Sequence, residues 1–222
     1  MQSMTDITRI AARRKGGASA LEKLLTKPSS KQKLRKIPAD RWLSAITKCV
    51  FQAGFKWQII EDKWEMFESV FDGFDVDHWL MMSEEDLDRL LKTDGIVKNV
   101  AKLRSVGRNA MFLRDVIDQY GSVGGYFAQW GVRDYSNNLR ELHKKGARLG
   151  GKTGQIFLRR MGVDTMVFTT DVLKALGREG VIDRIPASNR DWDGLQLAID
   201  TWCDGSGRSL TEVSQILAFS VD

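Results

Sequence analysis

Apolar side chains recur at intervals of three and four residues along most of this chain, as expected of helices that each bury one stripe. In the stretch from Trp57 to Phe67 the spacing runs through Trp57, Ile60, Trp64 and Phe67. The same period marks Val100 to Tyr120, Tyr135 to Lys145, Gly154 to Met161, Thr170 to Arg178, Asp191 to Cys203 and Leu210 to Phe219. Ser83-Glu84-Glu85-Asp86 ahead of Leu87, Leu90 and Leu91 predicts a helix opened by a capping box, with Asp86 in the place usually held by Glu or Gln. Alternating strand patterns are scarce; Thr165 to Thr169 is the one short candidate and reads equally well as a connector. Pro28, Pro38 and Pro186 all fall outside the helical segments and mark connections. The fold class expected is all-α. A basic N-terminal pair of helices is expected over residues 1–37, joined through a linker at Lys27 to Pro38 to a main domain over residues 38–222.

Composition narrows the setting. A chain of 222 residues with 42% hydrophobic side chains can bury a core without covalent staples. Its two cysteines, Cys49 and Cys203, are too few and too far apart for a disulfide framework or a CxxC metal knuckle. A reducing, cytoplasmic setting is expected, although the Arg-rich start leaves a transit-peptide reading open. No apolar run approaches the roughly 18 residues that would suggest a membrane span, so no membrane partner is expected. Charge is uneven: residues 1–37 carry ten bases against Asp6 and Glu22, a net of +8 in a chain whose formal net charge is +5. Such an arm suits a polyanion such as nucleic acid, or is a solvated tail.

The segment Gly146-Ala147-Arg148-Leu149-Gly150-Gly151-Lys152-Thr153 fits the pattern GxxxxGK[ST] of nucleotide hydrolases. That chemistry needs a buried strand leading into the loop, whose end aims the following helix at the phosphates. Here the residues before Gly146, from Ser136 to Lys145, are polar and helical, and no downstream apolar strand ends in a magnesium-binding Asp. The alternative is a helix, a Gly-rich turn and a second helix beginning near Gly154: a helix-hairpin-helix spanning about 144–161. Gly150 and Gly151 can adopt positive φ and let backbone N–H groups approach a phosphate, with the helix dipole behind them. Arg148, Lys152, Thr153 and Gly154 would complete a grip on a DNA backbone that does not read bases. A glycine C-cap followed by an ordinary N-cap would give the same letters.

Two further features bear on the choice. Nineteen residues after Lys152 comes Asp171, at the start of a predicted helix, near the spacing at which helix-hairpin-helix DNA glycosylases place a catalytic aspartate. The run Gln52-Ala53-Gly54-Phe55-Lys56-Trp57, then Ser83-Glu84-Glu85-Asp86, Gly95-Ile96-Val97-Lys98-Asn99 and Asn109-Ala110 resembles the DNA-3-methyladenine glycosylase I family over roughly residues 40 to 165. The resemblance implies two helical lobes flanking a cleft, damaged double-stranded DNA as partner, and a repair enzyme, expected to be a monomer. It also exposes departures. That family usually holds a structural zinc with cysteines and histidines near the chain's ends; here the ends have none, and the only histidines are His78 and His143. No metal and no cofactor is expected. A glutamate that contacts the base lies three residues before the Gln of QAG in the family, where this chain has Cys49. The family also tends to lack the aspartate that this chain offers in Asp171, whose other role would be that of a helix N-terminal acid favoured by the dipole.

These parts imply a mechanism. The nucleotide must leave the stack for a pocket. Loss of the base leaves positive charge on the sugar, which Asp171 could stabilise while orienting water. Alkylated purines such as 3-methyladenine already carry positive charge and favour aromatic faces, supplied by Phe55, Trp57 and Trp42, or these residues are core. Gln52 could hydrogen-bond a base edge, beside Cys49. Lys152 matches the place of the lysine that forms a Schiff base in bifunctional members, or it is a phosphate contact. A protein that kept only the DNA grip would bind without releasing a base.

Overall fold

The computed structural model describes residues 1–222 and is helical throughout, without a strand. Predicted helices at Val100–Tyr120, Thr170–Arg178 and Leu210–Phe219 are found with those bounds. Two local expectations are corrected and one open alternative is decided. The helix expected over Trp57 to Phe67 breaks at Lys63, which ends one short helix and begins the next. The expected linker contains a short helix, Lys31–Arg35, capped by the Ser30 hydroxyl. Thr165 to Thr169 forms no strand. There is no partner strand, and the backbone here bonds to side chains instead, the Thr165 N–H donating to Thr211 Oγ1 at 3.2 Å.

The chain forms two compact units. The first comprises Met1–Ser29, Trp130–Arg140 and Gly162–Asp222. It contains α1 (Met4–Arg14), α2 (Ala18–Leu24), α13 (Thr170–Arg178), α14 (Asn189–Ser206) and α15 (Leu210–Phe219). Helix α1 buries Met4, Ile7 and Ala11 while Arg9, Arg13 and Arg14 stay outside, and it packs on α14 and α15. The start of α15 is held twice. Ser209 and Glu212 close a capping box, and the Asp164 carboxylate accepts the N–H groups of Leu210 at 3.1 Å and Thr211 at 2.7 Å. Free N–H groups and positive dipole at a helix start favour such a carboxylate.

The second unit, Ser30–Gln129 with Glu141–Met161, holds α3 (Lys31–Arg35), α4 (Ala39–Gln52), α5 (Trp57–Asp62), α6 (Trp64–Val70), α7 (Val76–Trp79), α8 (Glu84–Lys92), α9 (Val100–Tyr120), α10 (Val123–Ala128) and α12 (Lys152–Met161). Helix α11 (Tyr135–Lys145) runs from the first unit into the second. Helix α4 is the centre, packed by α9 and α12. Trp42, expected as a possible pocket wall, is fully buried: it stacks on Phe127 at 4.7 Å and meets Phe157 edge-on at 5.9 Å. Its indole N–H donates to the Ile37 carbonyl at 3.2 Å, so it is a core residue with no face left for a base. Glu68 gathers donors from Arg41, Ser44 and Trp64. Burial would raise its carboxyl, but these hydrogen bonds outweigh it and hold the group below the usual glutamate range.

Backbones approach closely where α3 crosses α10. A Cβ at Gly124 would stand 2.2 Å from the Leu34 carbonyl oxygen, inside any permitted contact. Gly124→Ala should therefore lower stability by about 1–3 kcal/mol, read as a fall in Tm. An unchanged Tm would show that α3 is free to move away.

Candidate functional site

The hairpin forms as expected, with its second helix starting two residues early. Helix α11 ends at Lys145, a turn runs through Gly146 to Gly151, and α12 begins at Lys152. The left-handed positions are Arg148, φ 62°, and Gly151, φ 56°; Gly150 is not among them. A non-glycine residue at positive φ costs energy and persists where its surroundings impose it. Those surroundings are tight. A Cβ at Gly154 would lie 2.4 Å from the Leu149 carbonyl oxygen, so the second helix can pass the turn only with a glycine there. Asn109 on α9 provides the main anchor: its side-chain amide donates to the Ala147 carbonyl at 3.1 Å and its Oδ1 accepts the Ala147 N–H at 2.8 Å, both buried. Arg148, Gly150 and Lys152 are exposed, Gly151 and Thr153 partly so, and Gly154 is buried. Lys144 and Lys145 at the end of α11 add exposed positive charge. The turn thus presents backbone N–H groups of the first turn of α12 amid cations, the composition of an anion site.

A second cluster is built where α4 ends and α5 begins, closed by the far end of α12. Phe55 is 41% exposed and Trp57 is 50% exposed, leaving two aromatic faces at the surface. Gln52 is only 2% exposed, and both ends of its amide are engaged inside the protein. Its Oε1 accepts from Arg160 and its Nε2 donates to Glu61 at 2.7 Å. It positions those two charges and has no free edge to offer a base, which revises the role expected from sequence. Cys49 is buried beside it, with Arg160 Nη1 3.6 Å from its sulfur. Burial pushes the Cys49 thiol up more than Arg160 and Lys48 pull it down, so it stays neutral at pH 7.

Sequence reasoning did not single out Arg160, Glu61, Lys48 or Lys102 for this site. Arg160 lies over the Trp57 ring at 4.6 Å. Lys102 is buried: its ammonium donates to the carbonyls of Phe51 at 3.0 Å and Ala53 at 2.7 Å and lies 4.6 Å from the Phe55 ring centroid. Burial, and secondarily the charge of Arg148, lower its pKa. Lys102 therefore ties the end of α4, and so the Gln52–Trp57 turn, to α9. Periodicity alone cannot reveal such a residue, because a lysine on a helix is normally read as solvated.

Asp171 is exposed in the first turn of α13, within the other unit, behind the N-cap Thr169, whose hydroxyl accepts the Val172 N–H at 3.1 Å. His143 is half-buried, and burial holds it below the ordinary histidine range, so it is neutral at pH 7. His78 is exposed against Trp79. No group of three His, Cys, Asp or Glu side chains could hold a metal ion, so the residues present do not fit a zinc site. No helix is long and apolar enough to cross a membrane.

The all-helical fold, with its helix-turn-helix hairpin, is that of the helix-hairpin-helix DNA glycosylases. Solved structures share the fold. The 3-methyladenine DNA glycosylase I of Staphylococcus aureus superposes with a TM-score of 0.52 at 20% identity, over 63% of this chain and 80% of that one. The 8-oxoguanine DNA glycosylase of Methanocaldococcus jannaschii gives 0.54 at 16% identity over 96% and 92%. The 8-oxoguanine glycosylase/lyase of that organism, in complex with a 15mer DNA containing 8-oxoguanine, gives 0.52 at 14% over 96% and 95%. The family described as methyladenine glycosylase matches residues 40–153, more than half the chain. The protein belongs to that family and is a DNA repair glycosylase that removes damaged bases.

Asn109→Ala would leave the Ala147 N–H and C=O without partners. Each buried unpaired group costs about 1–3 kcal/mol, so the denaturant midpoint should fall clearly; an unchanged midpoint would remove Asn109 as the hairpin's anchor.

Proposed function

We propose that the protein removes an alkylated, 3-methyladenine-like purine from duplex DNA by hydrolysis. The observation that carries this reading is the pocket end of the second unit, where exposed Trp57 already holds a cation on its face. A base that bears positive charge while bonded to the sugar gains the same interaction. The hairpin residues Arg148, Gly150, Gly151, Lys152, Thr153 and Gly154 take a phosphate near the lesion, and the extruded nucleotide lays its base against Trp57 and Phe55. Cys49 and Gln52 back this wall from within. Asp171 is the carboxylate that stabilises the developing sugar cation and orients the attacking water. An alkylated purine leaves as a neutral base, so little general-acid help is required. The bases of residues 1–37 form a further clamp on the DNA. The protein acts as a monomer in the cytoplasm.

A second reading concerns Lys152. The M. jannaschii neighbour that spans nearly the whole chain is a glycosylase/lyase, and Lys152 opens α12 with its amine exposed. If Lys152 attacks the sugar, a Schiff base forms and the strand is cut; if it holds a phosphate, the strand stays intact until alkali is added.

Methylated duplex DNA separates these readings. The wild type should release methylated adenine, and Asp171→Asn should slow release by about 10²-fold or more. Release at the wild-type rate by the variant would remove Asp171 from the chemistry, and cuts before alkali that vanish in Lys152→Gln would establish the lyase.

Binding gives an independent check on the hairpin. Arg148→Gln leaves one DNA phosphate without its counter-charge and should reduce the slope of log K against log salt by about 0.9. An unaltered slope would place the phosphate elsewhere.

A further inference from the structure

The pocket end of the second unit contains two places where a cation of the protein occupies a group suited to hold one. Arg160 covers the indole of Trp57 at 4.6 Å. Lys48 pairs with the Glu61 carboxylate and lies 5.2 Å from the Trp64 ring centroid. Gln52 joins the two places through its amide, accepting from Arg160 and donating to Glu61. Trp57 and Glu61 lie four residues apart in α5 and so share one face of that helix. An aromatic face with a carboxylate beside it is the arrangement that selects cations.

Cys49 sharpens the point. It stands where the resemblance places a base-contacting glutamate, and its buried thiol is neutral, so the negative charge is missing from α4. Glu61 restores a carboxylate to the same cluster from the next helix. Its side chain is 42% exposed, and the hydrogen bond from Lys48, aided by that from Gln52, holds it ionised.

We propose that Glu61 replaces the family's glutamate as the carboxylate that recognises the damaged base, and that Trp57 and Glu61 form a cation site which Arg160 and Lys48 fill until a positively charged base displaces them. The inference rests on the reading of the protein as a glycosylase for alkylated purine. It also supplies a mode of selection. A neutral, undamaged purine must expel Arg160 from the indole without bringing a charge of its own, whereas an alkylated purine exchanges one cation for another. Expulsion breaks no buried ion pair: Arg160 has an indole, an amide and a thiol as partners and no carboxylate, and the Lys48–Glu61 pair is partly exposed, at 24% and 42%.

The test compares binding of two small probes by calorimetry, 3,9-dimethyladeninium and neutral 9-methyladenine. The first mimics the alkylated base with its bond to the sugar intact. The wild type should prefer the cation by roughly tenfold or more, the range of an aromatic interaction joined to a charged one. Glu61→Gln, which preserves shape at an exposed position and should melt like the wild type, should lose most of that preference. Adding Cys49→Glu to Glu61→Gln should restore it in part, which a merely structural role for Glu61 would not allow. Equal preference in wild type and Glu61→Gln, or none in the wild type, overturns the proposal. Release from methylated DNA is measured alongside. Wild-type protein that prefers the cation through Glu61 yet frees no methyladenine would sink the glycosylase reading and leave the cation site standing. Protein that frees methyladenine equally with and without Glu61, with unchanged probe preference, would sink the inference alone.

Discussion

Two buried polar side chains on one face of α9 hold the working parts of the second unit in register. Lys102 grips the carbonyls of Phe51 and Ala53 at the end of α4, and Asn109 grips both backbone groups of Ala147 in the hairpin. They lie seven residues, or two turns, apart, so the helix sets a separation of about 10 Å along its axis between the two anchor points. Neither anchor can slip without stranding buried donors or acceptors, each at a cost of about 1–3 kcal/mol. A glycosylase needs a fixed distance between the phosphate it holds and the base it receives, and a rigid helix is a simple way to keep one.

The internal cations give the pocket a second property. Arg160 lies on one face of the Trp57 indole and Lys48 pairs with the Glu61 carboxylate, so each group that could hold a cation already has one. Selectivity then comes from competition rather than from a shape that fits one base alone. The neutral Cys49 belongs to the same arrangement: a second carboxylate beside Gln52 would tie Arg160 down more firmly and make exchange harder.

Much of the architecture was legible from period and punctuation, because helices with a single buried stripe repeat their apolar residues in a way few other structures imitate. Val100–Tyr120 and Thr170–Arg178 stood out for this reason. Where Lys63 interrupts α5 and α6 the stripe continues across the break, so periodicity could not disclose it. The hairpin was readable from its glycines, yet its left-handed position at Arg148 was not, since that conformation is imposed by packing rather than by residue type. Trp42 and Trp57 look alike in sequence, and only the fold separates a tryptophan sealed against Phe127 and Phe157 from one half open to solvent. The Gln52–Arg160–Glu61 cluster joins residues separated by as many as 108 positions, a juxtaposition that no local pattern encodes.

The first unit is assembled from both ends of the sequence. Trp202 donates its indole N–H to the Gln2 carbonyl at 3.1 Å across 200 positions, and α1 packs on α15. During synthesis, therefore, α1, with its apolar stripe of Met4, Ile7 and Ala11, leaves the ribosome well before α14 and α15, on which it packs, and must wait for them to be made. The second unit, complete once Met161 has emerged, can condense in the meantime. Closing so long a loop is slow, and the exposed arginines of α1 keep the waiting segment charged and resistant to association with other nascent chains.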